Sequence, residues 1–311
     1  MRFAVIDLGT NTFNLLIAEG LENGTFVKLY NTKISVKLGE STINSGYISD
    51  LAFKRGIEAL ITYKSYIDKY NVNHIFAFAT SAIRTASNGL EFVKHAKKDA
   101  GIHVTIIDGN EEADLIYFGT RMAVSLDKTP SLIIDIGGGS TEFIIATKDE
   151  ILWKHSFLLG AARLLDRFKP SDPITLSEII DSNVYLKQEL KPLIEACNFY
   201  KPTELIGSSG AFDSVVDMIA AEFNTTPTHD NETEYHVDLA HYKFISERII
   251  KSTLKDRYEM KGLISMRVDM MVISILLIDF VLKELGLTKL RVSSFALKEG
   301  VIYKKLGMTF S

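Results

Sequence analysis

The sequence predicts two homologous α/β lobes facing each other across a cleft, and three observations carry that prediction. Strand-like and helix-like patterns alternate along the first 125 residues, which indicates an α/β domain with a mixed or parallel sheet. After a linker-like "SLDKTP" at 125–130, the pattern starts again with "SLIIDIGGG". That restart repeats the opening of the chain: "DLGTNTFNLLIA" from Asp7 aligns with "DIGGGSTEFIIA" from Asp135, an offset of 128 residues. Internal self-similarity of this kind decides architecture. The expected lobes are 1–126 and 127–311, with a final helix that packs back on the first lobe.

Element by element, "FAVID" (3–7), "FNLLIAE" (13–19) and "TFVKLYN" (25–31) read as strands joined by glycine-bearing turns. Apolar residues Leu51, Ile57, Leu60, Ile61 and Ile67 fall at helical spacing, so a helix runs from Ser49 to about Lys69. Strands "HIFAFAT" and "HVTIID" then alternate with helices at about 88–99 and 111–124, and from about 175 helices dominate. Two more matches extend the repeat. "HIFAFATSAIRTAS" (74–87) aligns with "PTELIGSSGAFDSV" (202–215) at the same offset, setting Thr80-Ser81 on Ser208-Ser209. "VTIIDGNEEADLIY" (104–117) pairs with "LRVSSFALKEGVIY" (290–303) at an offset of 186, which leaves a helical insertion between about 225 and 285.

Bulk properties narrow the function. With 311 residues, 46% of them hydrophobic, the chain can build a sizeable core. A net charge of −4 argues against nucleic acid held over the whole surface. The single cysteine, Cys197, excludes an intramolecular disulfide and fits a reducing compartment. "MRFAVIDLG" does not read as a secretory signal, and "MMVISILLIDFVL" (270–282), broken by Asp279, reads as a core helix rather than a membrane span. A cytoplasmic protein without membrane or nucleic-acid partners is expected.

Each half supplies one device to the cleft: a strand ending in Asp, a tight turn rich in glycine or hydroxyls, and a returning strand. Glycines 137–139 permit φ > 0 and keep side chains away, so main-chain amides converge on an anion, and Ser, Thr and Asn add donors. Asp7, Asp135 and Glu142 lie at these turns, where carboxylates beside phosphate hold Mg²⁺ or cap the turn. In "IIDGNEEADLIYFG", Asp108-Gly109-Asn110 reads as a turn, and Glu111 and Glu112 open a helix; at most one of the two faces the cleft. Such a carboxylate can deprotonate a water. Thr80, Ser81 and Arg84 follow a strand end, with Ser208, Ser209 and Gly210 as their counterpart. Arg84 can grip phosphate oxygens with two parallel hydrogen bonds. His236, Asp238 and His241 share no helical face and are not read as metal ligands.

"IDLGTNTFNLLIAE", "ATSAIRTASN", "DGNEEADLI", "IDIGGGSTEF", the Gly-Ser-Ser-Gly turn and "ALKEGVIY" together resemble the exopolyphosphatase/guanosine pentaphosphate phosphohydrolase (Ppx/GppA) family. The resemblance runs from residue 3 to about 306. It implies two ribonuclease-H-like lobes of the actin-like ATPase fold, and Mg²⁺-dependent hydrolysis of the terminal phosphoanhydride of polyphosphate or guanosine pentaphosphate. Carried over by position, Glu112 is the general base and Asp135 and Glu142 are metal-associated acids. Gly137, Gly138, Gly139, Ser140 and Thr141 are the phosphate loop, with Asn11, Thr12 and Arg84 facing it. "VSSFALKEG" and "GSSGAF" depart from the family's pattern where the rest of the substrate would sit. The alternatives are a non-catalytic alarmone or polyphosphate sensor and a nucleotide-hydrolysing or kinase member of the same fold; a homodimer is compatible with each.

Overall fold

The computed structural model describes residues 1–21, 25–40, 42–225 and 232–307. In the first lobe β1 (Arg2–Leu8), β2 (Thr12–Gly20) and β3 (Phe26–Ser35) form an antiparallel meander. Crossovers through α1 (Asp50–Lys69), α2 (Ser81–Thr85) and α3 (Gly89–Ala100) add β4 (His74–Ala79) and β5 (Val104–Ile106) in parallel, and α4 (Gly109–Ala123) follows. The sheet order is β3-β2-β1-β4-β5.

The second lobe repeats this order. β6 (Ser131–Ile136), β7 (Thr141–Ala146) and β8 (Ile151–Phe157) make the meander, followed by α5 (Ala161–Phe168), α6 (Leu176–Glu189) and α7 (Lys191–Tyr200). Parallel β9 (Leu205–Ser208) leads to α8 (Gly210–Phe223). Then come β10 (Glu234–Val237), α9 (Leu239–Ile250), α10 (Leu254–Glu259), α11 (Met271–Glu284), β11 (Leu290–Ser293) and α12 (Leu297–Leu306). The order is β8-β7-β6-β9-β11-β10, so two ribonuclease-H-like sheets stand in the duplicated arrangement of the actin-like fold. The insertion holds an edge strand as well as helices, since β10 pairs antiparallel with β11.

Sheet register sets the repeat more finely than residue type does. Asp7 faces Asn14 across β1–β2 and Asp135 faces Glu142 across β6–β7, so the 128-residue offset holds at the hairpins. Further on it slips. Phe78 lies beside Asp7, and Ser208 beside Asp135, an offset of 130. The helix N-caps, Thr80 and Ser209, lie 129 residues apart, so by cap position Ser209-Gly210 and not Ser208-Ser209 takes the place of Thr80-Ser81. Likewise α4 and α12 begin at Gly109 and Leu297, an offset of 188 rather than 186. Matching of hydroxyl residues ignores where a strand ends; the ladder does not.

β6 and β7 are buried on both faces, which is why their sequences are nearly unbroken apolar runs. α11 is buried almost all round, and its Asp279 accepts hydrogen bonds from Tyr242 and Ser246. Asp238 caps α9, accepting from the amides of Ala240 and His241. No helix among the described residues is long and apolar enough to cross a membrane. Cys197 is buried.

α4 and α12 make the layer between the sheets. One apolar cluster takes in Phe3, Val5 and Leu16 from the first sheet, Ile133, Ile144 and Ile206 from the second, and Leu115, Ile116, Val301 and Ile302 from the two helices. The helices cross at glycines. A Cβ at Gly119 would sit 1.9 Å from the Ala296 carbonyl oxygen, and one at Gly300 1.8 Å from that of Leu115.

Candidate active site

A cleft of about 470 Å³ lies between the lobes, walled by both hairpin turns, β3 and the N-terminal ends of α8 and α12. Of the residues singled out in the sequence, Asp7, Asn11, Thr12, Glu112, Asp135, Gly137, Gly138, Gly139, Ser140, Glu142, Ser209 and Gly210 line it, as do Thr80 and Ser81.

The triglycine turn needs glycine for space. None of the three adopts a left-handed φ, contrary to the conformational expectation. A Cβ at Gly139 would meet Thr10 Oγ1 at 2.5 Å and Ser81 Oγ at 2.7 Å. One at Gly138 would come within 3.0 Å of Thr10 Cβ. The turns of the two lobes thus touch with no room for side chains. Gly9 and Gly137, 128 residues apart, play one role: a Cβ on either would lie 2.8 or 2.9 Å from the carbonyl oxygen three residues on.

Carbonyl direction explains how the turn meets an anion. Gly137 O accepts from Ala161 N, Gly138 O from Ala162 N and Arg163 N, and Gly139 O from Arg163 Nε. In trans peptides the following N–H points the opposite way, so the amides of Gly138, Gly139 and Ser140 turn from α5 toward the cleft. In the first lobe, Thr10 O accepts from Leu38 N, and Asn11 O from Val36 N and Lys37 N.

Glu112 reaches this place because α4 packs on the second sheet. Helix α4 starts at Gly109 rather than Glu111, with Asp108 as N-cap accepting from the amides of Asn110 and Glu111. Gly109 abuts Ser156 of β8, where a Cβ would lie 2.4 Å from Ser156 Cβ. Lys154 of β8 pairs with Asp114. Glu111 is exposed, whereas Glu112 is 7% exposed. Arg84 Nη1 donates to Glu112 Oε2 at 2.8 Å and to the Ile107 carbonyl at 3.1 Å. Arg84 therefore grips Glu112 and is not part of the cleft lining.

Four acids crowd this centre. Burial, then the Glu142 charge, push the Glu112 carboxyl well above the usual range, against the pull of Arg84. Burial raises Asp135 to about 7, partly offset by a hydrogen bond to Ser209, with the Glu112 and Asp7 charges adding to the rise. Burial and Asp135 raise Glu142 to about 7, although Ser156 Oγ donates to its Oε1 at 2.7 Å. Burial also raises Asp7, whose Oδ2 accepts from Asn14 Nδ2 at 3.0 Å.

Such a set suits a hard cation. Among the described residues no three acidic, histidine or cysteine side chains converge to hold a metal unaided. Magnesium needs only one or two carboxylates when phosphate and water oxygens complete the shell. Asp135 and Glu142, buried and paired across β6–β7, with the half-buried Asp7 whose charge acts on Asp135, fit that chemistry.

Two candidates turn away from the cleft. Thr141 is fully buried and its Oγ1 donates to the Leu159 carbonyl at 3.0 Å. Ser208 Oγ donates to the Phe295 carbonyl and weakly to Asp135. Ser209 lines the cleft with φ +73°, a left-handed conformation unusual for serine.

Sequence reasoning missed Thr10, Lys28, Lys33, Asp213, Arg267 and Lys298, all in the lining. Thr10 sits inside "IDLGTNTFNLLIAE" and could have been found through its 128-residue partner, Gly138. Arg267 lies in the insertion, where the repeat offers no counterpart. Two buried polar atoms of the lining, Ser81 Oγ and Arg267 Nε, have no hydrogen-bond partner among the described residues.

Comparison with known proteins sets this arrangement in context. The Ppx/GppA phosphatase family profile matches residues 17–309. A crystal structure of an exopolyphosphatase from Cytophaga hutchinsonii is 39% identical, with a TM-score of 0.96 over 99% of this chain and 98% of that one. Exopolyphosphatase 1 of Mycobacterium tuberculosis is 28% identical over 312 residues, covering 98% of this chain and 88% of its own. The Aquifex aeolicus member of the Ppx/GppA family, 24% identical, has the same fold, with a TM-score of 0.81 over 100% and 99% of the two chains.

Proposed function

The chain belongs to the Ppx/GppA phosphatase family, and on that premise we propose that it hydrolyses the terminal phosphoanhydride of inorganic polyphosphate, with Glu112 as general base. The observation that carries this reading is the delivery of Glu112, on α4 of the first half, to the acids and triglycine turn of the second.

The terminal phosphate is cradled by the amides of Gly138, Gly139 and Ser140, with Asn11, Thr12 and the unpartnered Ser81 hydroxyl facing them. Arg84 holds Glu112 by one oxygen and leaves the other free to accept a proton. Burial and the Glu142 charge raise the proton affinity of that carboxyl above the ordinary carboxylate range, the direction a general base needs. Water loses its proton to Glu112 and its oxygen bonds to the terminal phosphorus. The bridging P–O bond breaks in line, and the shortened chain leaves with that electron pair. Asp135 and Glu142, with Asp7, would hold Mg²⁺ together with phosphate oxygens; when bound, the ion neutralises charge on the transferring phosphoryl group.

Phosphate release from a long linear polyphosphate and from guanosine pentaphosphate, side by side with and without Mg²⁺, tests the reading. Mg²⁺-dependent release of orthophosphate from the polymer is expected. Tight binding without release would instead identify a sensor, and transfer to an acceptor a kinase.

A further inference from the structure

The carbonyls of the triglycine turn are fixed from behind, by α5. The helix packs on the turn so closely that a Cβ at its N-cap, Gly160, would lie 2.4 Å from the carbonyl carbon and oxygen of Gly138 and from the amide nitrogen of Gly139. The amides of Ala161, Ala162 and Arg163 answer Gly137 O and Gly138 O, which leaves Gly139 O to a side chain. Arg163 Nε answers it at 3.0 Å. The Gly139 carbonyl and the Ser140 N–H belong to one planar peptide, so this bond sets the direction of the last amide in the cradle. Without it the peptide is free to rotate, withdrawing the amide and turning a carbonyl oxygen toward the anion.

The same guanidinium crosses to the first lobe. Its Nη1 donates to the Ile43 carbonyl at 3.1 Å and to Asn44 Oδ1 at 3.3 Å, within a short 3₁₀ turn, Ile43–Ser45. Asn44 Nδ2 returns two bonds to α5, to the Arg163 carbonyl at 3.2 Å and to Asp166 Oδ2 at 2.8 Å. Arg163 Nη2 is buried without a partner among the described residues, and the Arg84 charge acts on this guanidinium. An unanswered buried donor near a second cation is an unfavourable setting for arginine. Packing alone does not account for the residue; the bridge from the turn to the other lobe does. Arg163 stands outside the cleft lining and works through the turn.

We infer that Arg163 is a positioning residue: it aligns the Gly139–Ser140 peptide for anion binding and takes its own alignment from Ile43 and Asn44 of the opposite lobe. The assignment rests on the reading of the triglycine turn as a phosphate cradle, but it concerns binding and does not require turnover.

Calorimetric titration with imidodiphosphate and Mg²⁺, a two-phosphate anion without a P–O–P bridge to cleave, tests it on wild type, Arg163→Met, Arg163→Lys and Asn44→Ala. The methionine variant is expected to weaken binding on the order of 10–100-fold, the scale of a hydrogen bond to a charged group. Lysine, which still reaches Gly139 O, recovers part of that loss. Asn44→Ala, at an exposed position, costs on the order of 3–10-fold, the scale of a neutral hydrogen bond. The double variant Asn44→Ala, Arg163→Met loses less than the product of the two, because both act through one guanidinium. Wild-type affinity in Arg163→Met, a lysine variant no better than methionine, or losses that simply multiply overturn the inference. If such a protein still releases phosphate from polyphosphate, the hydrolase reading stands without it. Coupled, Arg163-dependent binding in a protein that releases no phosphate keeps the inference and refutes only hydrolysis. A wild type that does not bind the probe refutes the cradle and the inference together. Should Arg163→Met fail to fold, Arg163→Lys takes its place in the cycle, since one ammonium nitrogen cannot stand where both Nε and Nη1 stood; Asn44→Ala costing it as much as wild type then overturns the bridge.

Discussion

Replacing Glu112 by glutamine separates proton acceptance from every other duty of this side chain. The amide keeps the shape, and its oxygen can still accept from Arg84 Nη1, which lies 2.8 Å from Glu112 Oε2. Glutamine resembles the protonated acid, the form that burial and Glu142 already favour. Losing the buried charge offsets losing the ion pair, so the melting temperature should move by only a few degrees. Turnover is another matter. Removing a positioned general base costs roughly 10²–10⁴-fold, or about 2.7–5.5 kcal/mol of barrier. Phosphate release from saturating polyphosphate, measured beside a binding titration and a thermal melt, should show the loss in kcat with affinity retained. Near-wild-type release by a folded, substrate-binding Glu112→Gln protein would remove Glu112 from the chemistry.

Gly139→Ala should cut phosphate release roughly 10²-fold, since a Cβ 2.5 Å from Thr10 Oγ1 forces the two turns apart; a folded variant with unchanged release refutes the contact. Gly119→Ala should lower stability by at least about 1–3 kcal/mol, because its Cβ meets the Ala296 backbone at 1.9 Å; a thermal melt reads it. Asp135 and Glu142 rise from ordinary values of 3.8 and 4.5 to about 7 on folding. Between those limits the native state binds more protons, so their contribution to stability is full at low pH and falls as pH rises toward 7. Metal-free protein should therefore lose melting temperature across that window, and Mg²⁺ should restore it at about pH 8 but not at about pH 5. Calorimetry with and without chelator decides; a cation effect equal at both pH values contradicts the acid cluster as its site.

Much of the site is legible in the sequence because its parts are local. A strand ending in Asp, a tight turn and a returning strand occupy a dozen residues, and duplication at 128 marks both copies, down to Gly9 and Gly137. The pattern starts α4 two residues late, since "DGN" reads as a turn until Asp108 is seen to cap the helix. Residue type alone assigns Arg84 to phosphate, yet it holds Glu112, a choice that depends on where α4 lies.

Short-range order of this sort follows from neighbouring residues: period-2 and period-3.6 burial, capping side chains and turn glycines carry it without reference to distant segments. Assembly across the lobes does not. Glu112 meets Glu142 only because α4 and α12 cross at Gly119 and Gly300 and wedge between two sheets. Arg267 enters the cleft only because its insertion is strapped to Lys37 and Asn11, more than 200 residues earlier. Such contacts arise from close packing of surfaces that the chain brings together late, and no local pattern records which residue will fill the gap.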